Sequence, residues 1–128
     1  PSGVARDVLG PEHVCVMDLS GKVIERVAEV KPSSEAMIHL YIYKERKDIR
    51  AIVHTHARYS TAFSIMNKPI MPIVYECAYL GKTGTVPVAP YGRAGTVDLA
   101  EKVAEVMATA QRVGIAKIAF VTEEPARP

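Results

Sequence analysis

An α/β sandwich around a largely antiparallel sheet is the fold class this sequence predicts, and three observations predict it. Segments with apolar residues at helical spacing are interleaved with short β-prone runs, but without the strict rhythm of a parallel βαβ fold. An early pair of short runs flanks Asp18-Leu19-Ser20-Gly21, turn chemistry that joins antiparallel strands. The 128 residues, 48% hydrophobic and 23% charged, have the size and composition of one globular domain, with no repeat or internal linker.

In chain order, Pro1-Ser2-Gly3 reads as a turn, and Val4 to Leu9 as one helical turn closed by Gly10-Pro11. His13, Cys15 and Met17 alternate with Val14, Val16 and Leu19, which gives a strand, and Lys22 to Val27 returns as its partner. His13 on this hairpin reads as a surface or internally satisfied histidine. Lys31-Pro32-Ser33-Ser34-Glu35 opens a helix, a serine supplying the N-cap oxygen and Glu35 the first-turn acid. Met37, Ile38, Leu40, Tyr41 and Ile42 recur at helical spacing and form its core face. The charged run Lys44-Glu45-Arg46-Lys47-Asp48 reads as a solvated helix end.

Ile49, Ala51, Ile52 and Val53 then form a β-prone run ending in His54 and His56. Arg58 to Met66 reads as a helix stopped by Asn67-Lys68-Pro69. Ile70 to Tyr75 reads as a strand, Glu76 to Thr85 as a loop, and Val86 to Ala89 as a short edge strand between prolines. Thr96 or Asp98 caps a long helix with Leu99, Val103, Val106 and Met107 on its apolar face. Ile115 to Val121 is strand-like, and Glu123 to Pro128 is a polar tail.

A net charge of +2, with no basic run, argues against nucleic acid as a partner. No apolar run reaches membrane-spanning length. Cys15 and Cys77 lack metal-type spacing and read as buried thiols of a reducing compartment.

The chemistry concentrates between Ser33 and His56. On a strand, residues i and i+2 share a face, so His54 and His56 both project into one site. Catalytic zinc commonly takes three protein ligands and leaves a position open, and Glu35 is the natural third group. Ser33 and Ser34 add hydroxyls and free backbone N–H groups at a helix N-terminus, a setting suited to phosphate. Each part also has a plainer reading, as strand-end polar residues or as helix caps. The combination is more specific than its parts.

Together, Pro1-Ser2-Gly3, Lys31-Pro32-Ser33-Ser34-Glu35, Ala51-Ile52-Val53-His54-Thr55-His56, and Val88-Ala89-Pro90-Tyr91 followed by Gly95-Thr96 resemble the class II aldolase/adducin family. The resemblance runs from Pro1 to about Met107, leaving 108–128 divergent. It implies a single, N-terminally incomplete domain over 1–128, built as a three-layer α/β/α sandwich with a mostly antiparallel central sheet. It further implies a cytoplasmic, zinc-dependent, homotetrameric lyase of archaeal type. Such an enzyme cleaves a short sugar phosphate of the L-fuculose 1-phosphate kind to dihydroxyacetone phosphate and an aldehyde, through a metal-stabilised enediolate.

By their places in the motifs, His54 and His56 match two zinc histidines, and Glu35 matches the carboxylate that is both resting ligand and acid/base. Ser2, Gly3, Ser33 and Ser34 match positions that hold the substrate phosphate. Tyr75 falls where the aldolases carry a tyrosine that assists from a neighbouring subunit. Related ribulose-phosphate 4-epimerases usually have aspartate at the place of Glu35, so glutamate tilts the choice towards cleavage.

Three features depart from the family pattern. An upstream Gly-Asn loop and a C-terminal tyrosine are missing, and Thr122-Glu123-Glu124 stands where a third zinc histidine is expected. Val106 to Pro125 faintly resembles the closing helix and strand of ExbD/TolR-type transport accessory proteins. The competing reading is a non-catalytic interaction domain of adducin type. Retention of Glu35, His54 and His56 argues against it, and the missing histidine argues for it.

Overall fold

A computed structural model of the chain describes residues 1–80 and 84–112. Two 3-10 turns, Arg6–Val8 and Pro11–His13, precede strands β1 (Cys15–Met17) and β2 (Val23–Arg26). Helices α1 (Ala36–Glu45) and α2 (Arg58–Ile65), a 3-10 helix Tyr75–Leu80 and the long helix α3 (Val97–Arg112) follow.

The hairpin forms as expected. β1 and β2 pair antiparallel, Cys15 with Arg26 and Val16 with Glu25, with an irregularity before the Met17–Val23 pair. Its turn is closed by Asp18, whose Oδ1 accepts from the Ser20 and Lys22 amides at 2.8 and 3.0 Å. Gly21 takes φ +93°, a conformation a β-carbon disfavours. His13 lies just before the strand, in the 3-10 turn, and its Nδ1 accepts from the Gly10 amide at 2.9 Å. It is the satisfied histidine the sequence suggests.

The core is α1 packed on α3. Leu99, Ala100, Val103, Ala104 and Met107 recur at alternating one- and three-residue steps, so one stripe of α3 is fully apolar and buried. Ile38 and Ile42 of α1 close on that stripe, joined by Ala89, while Met37, Tyr41 and Val106 flank it. Thr96 caps α3, its Oγ1 accepting from the Leu99 amide at 3.3 Å. Leu40, on another side of α1, reaches the hairpin turn, where a β-carbon on Gly21 would lie 3.4 Å from its Cδ1. Thus α1 sits between the hairpin and α3.

Several expectations change. Glu35 is the residue before α1, with φ −103°, so it stands at the N-cap rather than in the first turn. The run 44–48 is not wholly solvated: Arg46 is 1% exposed, and its Nε and Nη2 donate to the two Asp48 carboxylate oxygens at 2.8 and 2.6 Å. A long side chain can bury its stem and its head together when a fork-shaped partner is supplied locally. Cys15 and Cys77 are only partly buried.

Among the described residues the hairpin is the only sheet. Residues 49–57 lie outside any strand, and 70–75 contributes a single bridge between Ile70 and Val86. A 3-10 helix, Tyr75–Leu80, takes the first part of the loop expected from Glu76. β-propensity makes a run eligible for a sheet, but only a hydrogen-bonded neighbour makes it a strand. The expected strand Ile115 to Val121, the tail and the ExbD/TolR-like stretch beyond residue 112 lie outside the described residues.

α2 runs to Ile65 and is stopped by Asn67 in the left-handed region, φ 52°, ahead of Pro69. Its surface and the segment after it stay apolar and open, with Tyr59, Ile65, Met71, Ile73 and Tyr75 all exposed. No helix among the described residues is long and apolar enough to cross a membrane.

Candidate metal centre

The site is built where the entry to α1 meets segment 49–57. Ile49 and Ile52 pack partly buried against the α1–α3 core, whereas Val53 is 90% exposed. Burial of Ile52 fixes which side of the chain faces inward, and two-residue alternation then turns His54 and His56 the same way. Their rings stack, with centroids 5.1 Å apart and planes 14° apart. The shared face expected of His-x-His is therefore present, although no strand carries it.

Glu35 meets both rings. Its Oε2 lies 3.3 Å from His56 Nε2 and its Oε1 3.9 Å from His54 Nε2. One ligand atom from each of Glu35, His54 and His56 lies within 4.8 Å of the others. Donors sharing one zinc ion through bonds of about 2.0–2.1 Å must stand within about 4.2 Å of each other, so a small closing movement suffices. Two imidazole nitrogens and one carboxylate also match zinc in donor chemistry, and an open position remains for substrate or water. The residues fit a single divalent ion of this kind.

A third imidazole adjoins them. His39, one turn into α1 and partly buried, has Nε2 3.1 Å from His54 Nδ1, the rings tilted by 33°. Burial, then the neighbouring His54, holds its pKa below the ordinary 6.5, and Glu35 acts in the opposite direction.

Ser2, Gly3, Ser33 and Ser34 also converge. The Ser2 amide donates to the Lys31 carbonyl at 2.9 Å, and Ser2 Oγ accepts from the Ser34 amide at 3.0 Å. The Glu35 amide donates to Ser33 Oγ at 3.2 Å, and the Ala36 amide to the Ser33 carbonyl at 3.1 Å. The N–H groups of Ser34, Glu35 and Ala36 are therefore engaged, and the expectation of free amides is corrected at these three. Each hydroxyl that accepts such a bond still has its own hydrogen to donate. Gly3, at φ +81°, has open space where a β-carbon would stand. Tyr75 begins the 3-10 helix, 75% exposed, on a different element from Glu35, His54 and His56.

Together these pieces set two imidazoles and a carboxylate that could hold one metal ion beside a turn that carries serine hydroxyls. The profile of the Class II Aldolase and Adducin N-terminal domain matches residues 1–121. The chain belongs to this family. An L-fuculose phosphate aldolase of Methanococcus vannielii is 39% identical over 102 residues, which cover 79% of this chain and 52% of that protein. A 5-deoxy-D-ribulose 1-phosphate aldolase of Bacillus thuringiensis serovar kurstaki is 39% identical over 107 residues, 84% of this chain and 48% of the relative. A solved L-fuculose 1-phosphate aldolase superposes with a TM-score of 0.79 at 35% identity, over 94% of this chain and 53% of the other. The fold is thus the class II aldolase fold, and the chain spans about half the length of the relatives it matches.

Proposed function

We propose that this chain carries the metal- and phosphate-binding part of a zinc-dependent class II aldolase. Its substrate is a short sugar phosphate of the L-fuculose 1-phosphate kind, cleaved to dihydroxyacetone phosphate and an aldehyde. The observation that carries the reading is the convergence of Glu35, His54 and His56 on one point beside the Ser2–Ser34 turn. The names of the relatives, aldolases of L-fuculose phosphate and of 5-deoxy-D-ribulose 1-phosphate, support the substrate class.

His54, His56 and Glu35 hold the zinc ion, which when bound polarises the carbonyl of the phosphorylated fragment. The hydroxyls of Ser2, Ser33 and Ser34, with the unobstructed backbone at Gly3, orient the phosphate so that the carbonyl reaches the site. As the carbon–carbon bond breaks, the substrate hydroxyl gives up its proton and becomes the aldehyde carbonyl. Glu35, the acid/base of the site, delivers a proton to the donor carbon and so completes dihydroxyacetone phosphate, an exchange for which a carboxylate beside two imidazoles is placed. Tyr75 assists from a neighbouring subunit, a role its exposure permits. On the same reading the complete domain is a three-layer α/β/α sandwich with a mostly antiparallel sheet. It works in the cytoplasm as a homotetramer, and the apolar surface around Tyr59 and Ile73 supports assembly.

Zinc per chain after dialysis against a weak chelator tests this reading, for the native chain and for a His54→Ala, His56→Ala double variant. About one zinc per chain, lost in the double variant, is expected of a centre built from these ligands. Release of dihydroxyacetone phosphate from L-fuculose 1-phosphate is then the activity assay. Absence of zinc from both proteins refutes the metal centre and leaves the non-catalytic, adducin-like reading.

A further inference from the structure

The metal centre uses one edge of the His54 ring, and the other edge is also occupied. Nε2 faces Glu35, whereas Nδ1 faces His39 Nε2 at 3.1 Å. In a neutral imidazole one nitrogen carries the proton and the other the lone pair. Nε2 can therefore bind an ion only when Nδ1 holds the hydrogen, and a hydrogen there calls for an acceptor. His39 Nε2 is the group in place. It is held on α1 between the buried Ile38 and Leu40, so the core fixes where the acceptor stands.

We infer that His39 is a positioning residue of the metal centre, accepting the His54 Nδ1 hydrogen and so fixing the tautomer that presents the Nε2 lone pair to the site. The inference rests on the metal-centre reading above. It adds a feature that a backbone carbonyl or carboxylate acceptor lacks. His39 is itself tautomeric, so the bond has a second arrangement in which His39 Nε2–H donates to His54 Nδ1. In that arrangement the neutral His54 carries its proton on Nε2, and the ligand atom is masked. Filling the centre selects the first arrangement, with the hydrogens of both rings on Nδ1.

The experiment uses the full chain with 15N-labelled histidine, free and zinc-loaded, and reads the ring tautomers by long-range proton–nitrogen NMR. Zinc affinity is measured against a chromogenic chelator for the native chain and for His39→Phe, His39→Gln and His56→Ala. In the zinc-loaded native chain, both His39 and His54 are expected to carry hydrogen on Nδ1. His39→Phe is expected to lose about 10–100-fold in zinc affinity, while His39→Gln, whose amide oxygen accepts the same hydrogen, stays near native. A folded His39→Phe that binds zinc as tightly as the native chain overturns the inference, provided that His56→Ala binds more weakly. A zinc-loaded native chain with hydrogen on His39 Nε2 overturns it too, and this readout stands even if His39→Phe does not fold. If His56→Ala binds as tightly as the native chain, the metal centre itself is refuted, a separate result.

Discussion

The α1–α3 contact holds Glu35 and His39 in place, and Ile42→Ala tests it at its centre. Ile42 is 0% exposed, and the substitution deletes three carbon atoms from a site with no access to water. At about 0.8 kcal/mol per buried carbon group, the transfer loss is about 2.4 kcal/mol. Val103, Leu99 and Met107 line the same cluster from a continuous helix, so the hole closes only in part, and the cavity adds about 1 kcal/mol. The expected loss is about 3–4 kcal/mol, a large part of the stability of a domain this size. Urea unfolding followed by circular dichroism measures it, with an unchanged dependence on urea showing that the midpoint shift is a stability change. Val103→Ala, alone and combined with Ile42→Ala, completes a double-mutant cycle. Residues in contact are expected to couple by about 0.5 kcal/mol or more. A single-variant loss below about 1 kcal/mol, or strict additivity, refutes this packing.

Two further outcomes follow from the loops. Gly95 has φ +74°, and a β-carbon there would stand 3.3 Å from the Ser34 carbonyl oxygen. Gly95→Ala is expected to cost about 1–2 kcal/mol in urea unfolding, and an unchanged midpoint would show that the turn is not held in this conformation. The Asp48 carboxyl is held below its ordinary pKa of 3.8, chiefly by its hydrogen bonds from Arg46. A depressed folded pKa contributes stability that is complete above 3.8 and is lost as pH falls through the lowered value. Asp48→Asn is therefore expected to flatten the acid limb of the stability–pH curve, and an unaltered limb would refute the role of the pair.

What could be read beforehand was what local chemistry decides. The hairpin turn is specified by Asp18 and Gly21, within four residues, and α3 by its apolar stripe and Thr96. His54 and His56 could be paired because alternation alone puts them on one side. Other features depend on partners distant in sequence or on geometry that residue types do not display. The Ser2 hydroxyl satisfies the Ser34 amide across 32 positions. His39 could be placed near the site, one helical turn after Glu35, but its contact with His54 across 15 positions could not be read. Arg46 stands in a run that looks solvated, and the fork made with Asp48 helps to make its burial tolerable. The runs 49–53 and 70–75 have strand composition, but neither finds a ladder among the described residues.

The partial burial of Ile52 beside the exposure of Val53 gives segment 52–56 a phase. The His54 and His56 rings stack on one side of the chain, and two-residue alternation assigns Ile52 to that side and positions 53 and 55 to the other. Losing or gaining one residue between the core contact and His54 inverts every later side chain and directs both imidazoles away from Glu35. A change of two residues restores the phase. Natural variation here should therefore be free in side-chain identity at 53 and 55 and restricted in spacing. The distance along the chain from Ile52 is as much a part of the metal centre as the imidazoles.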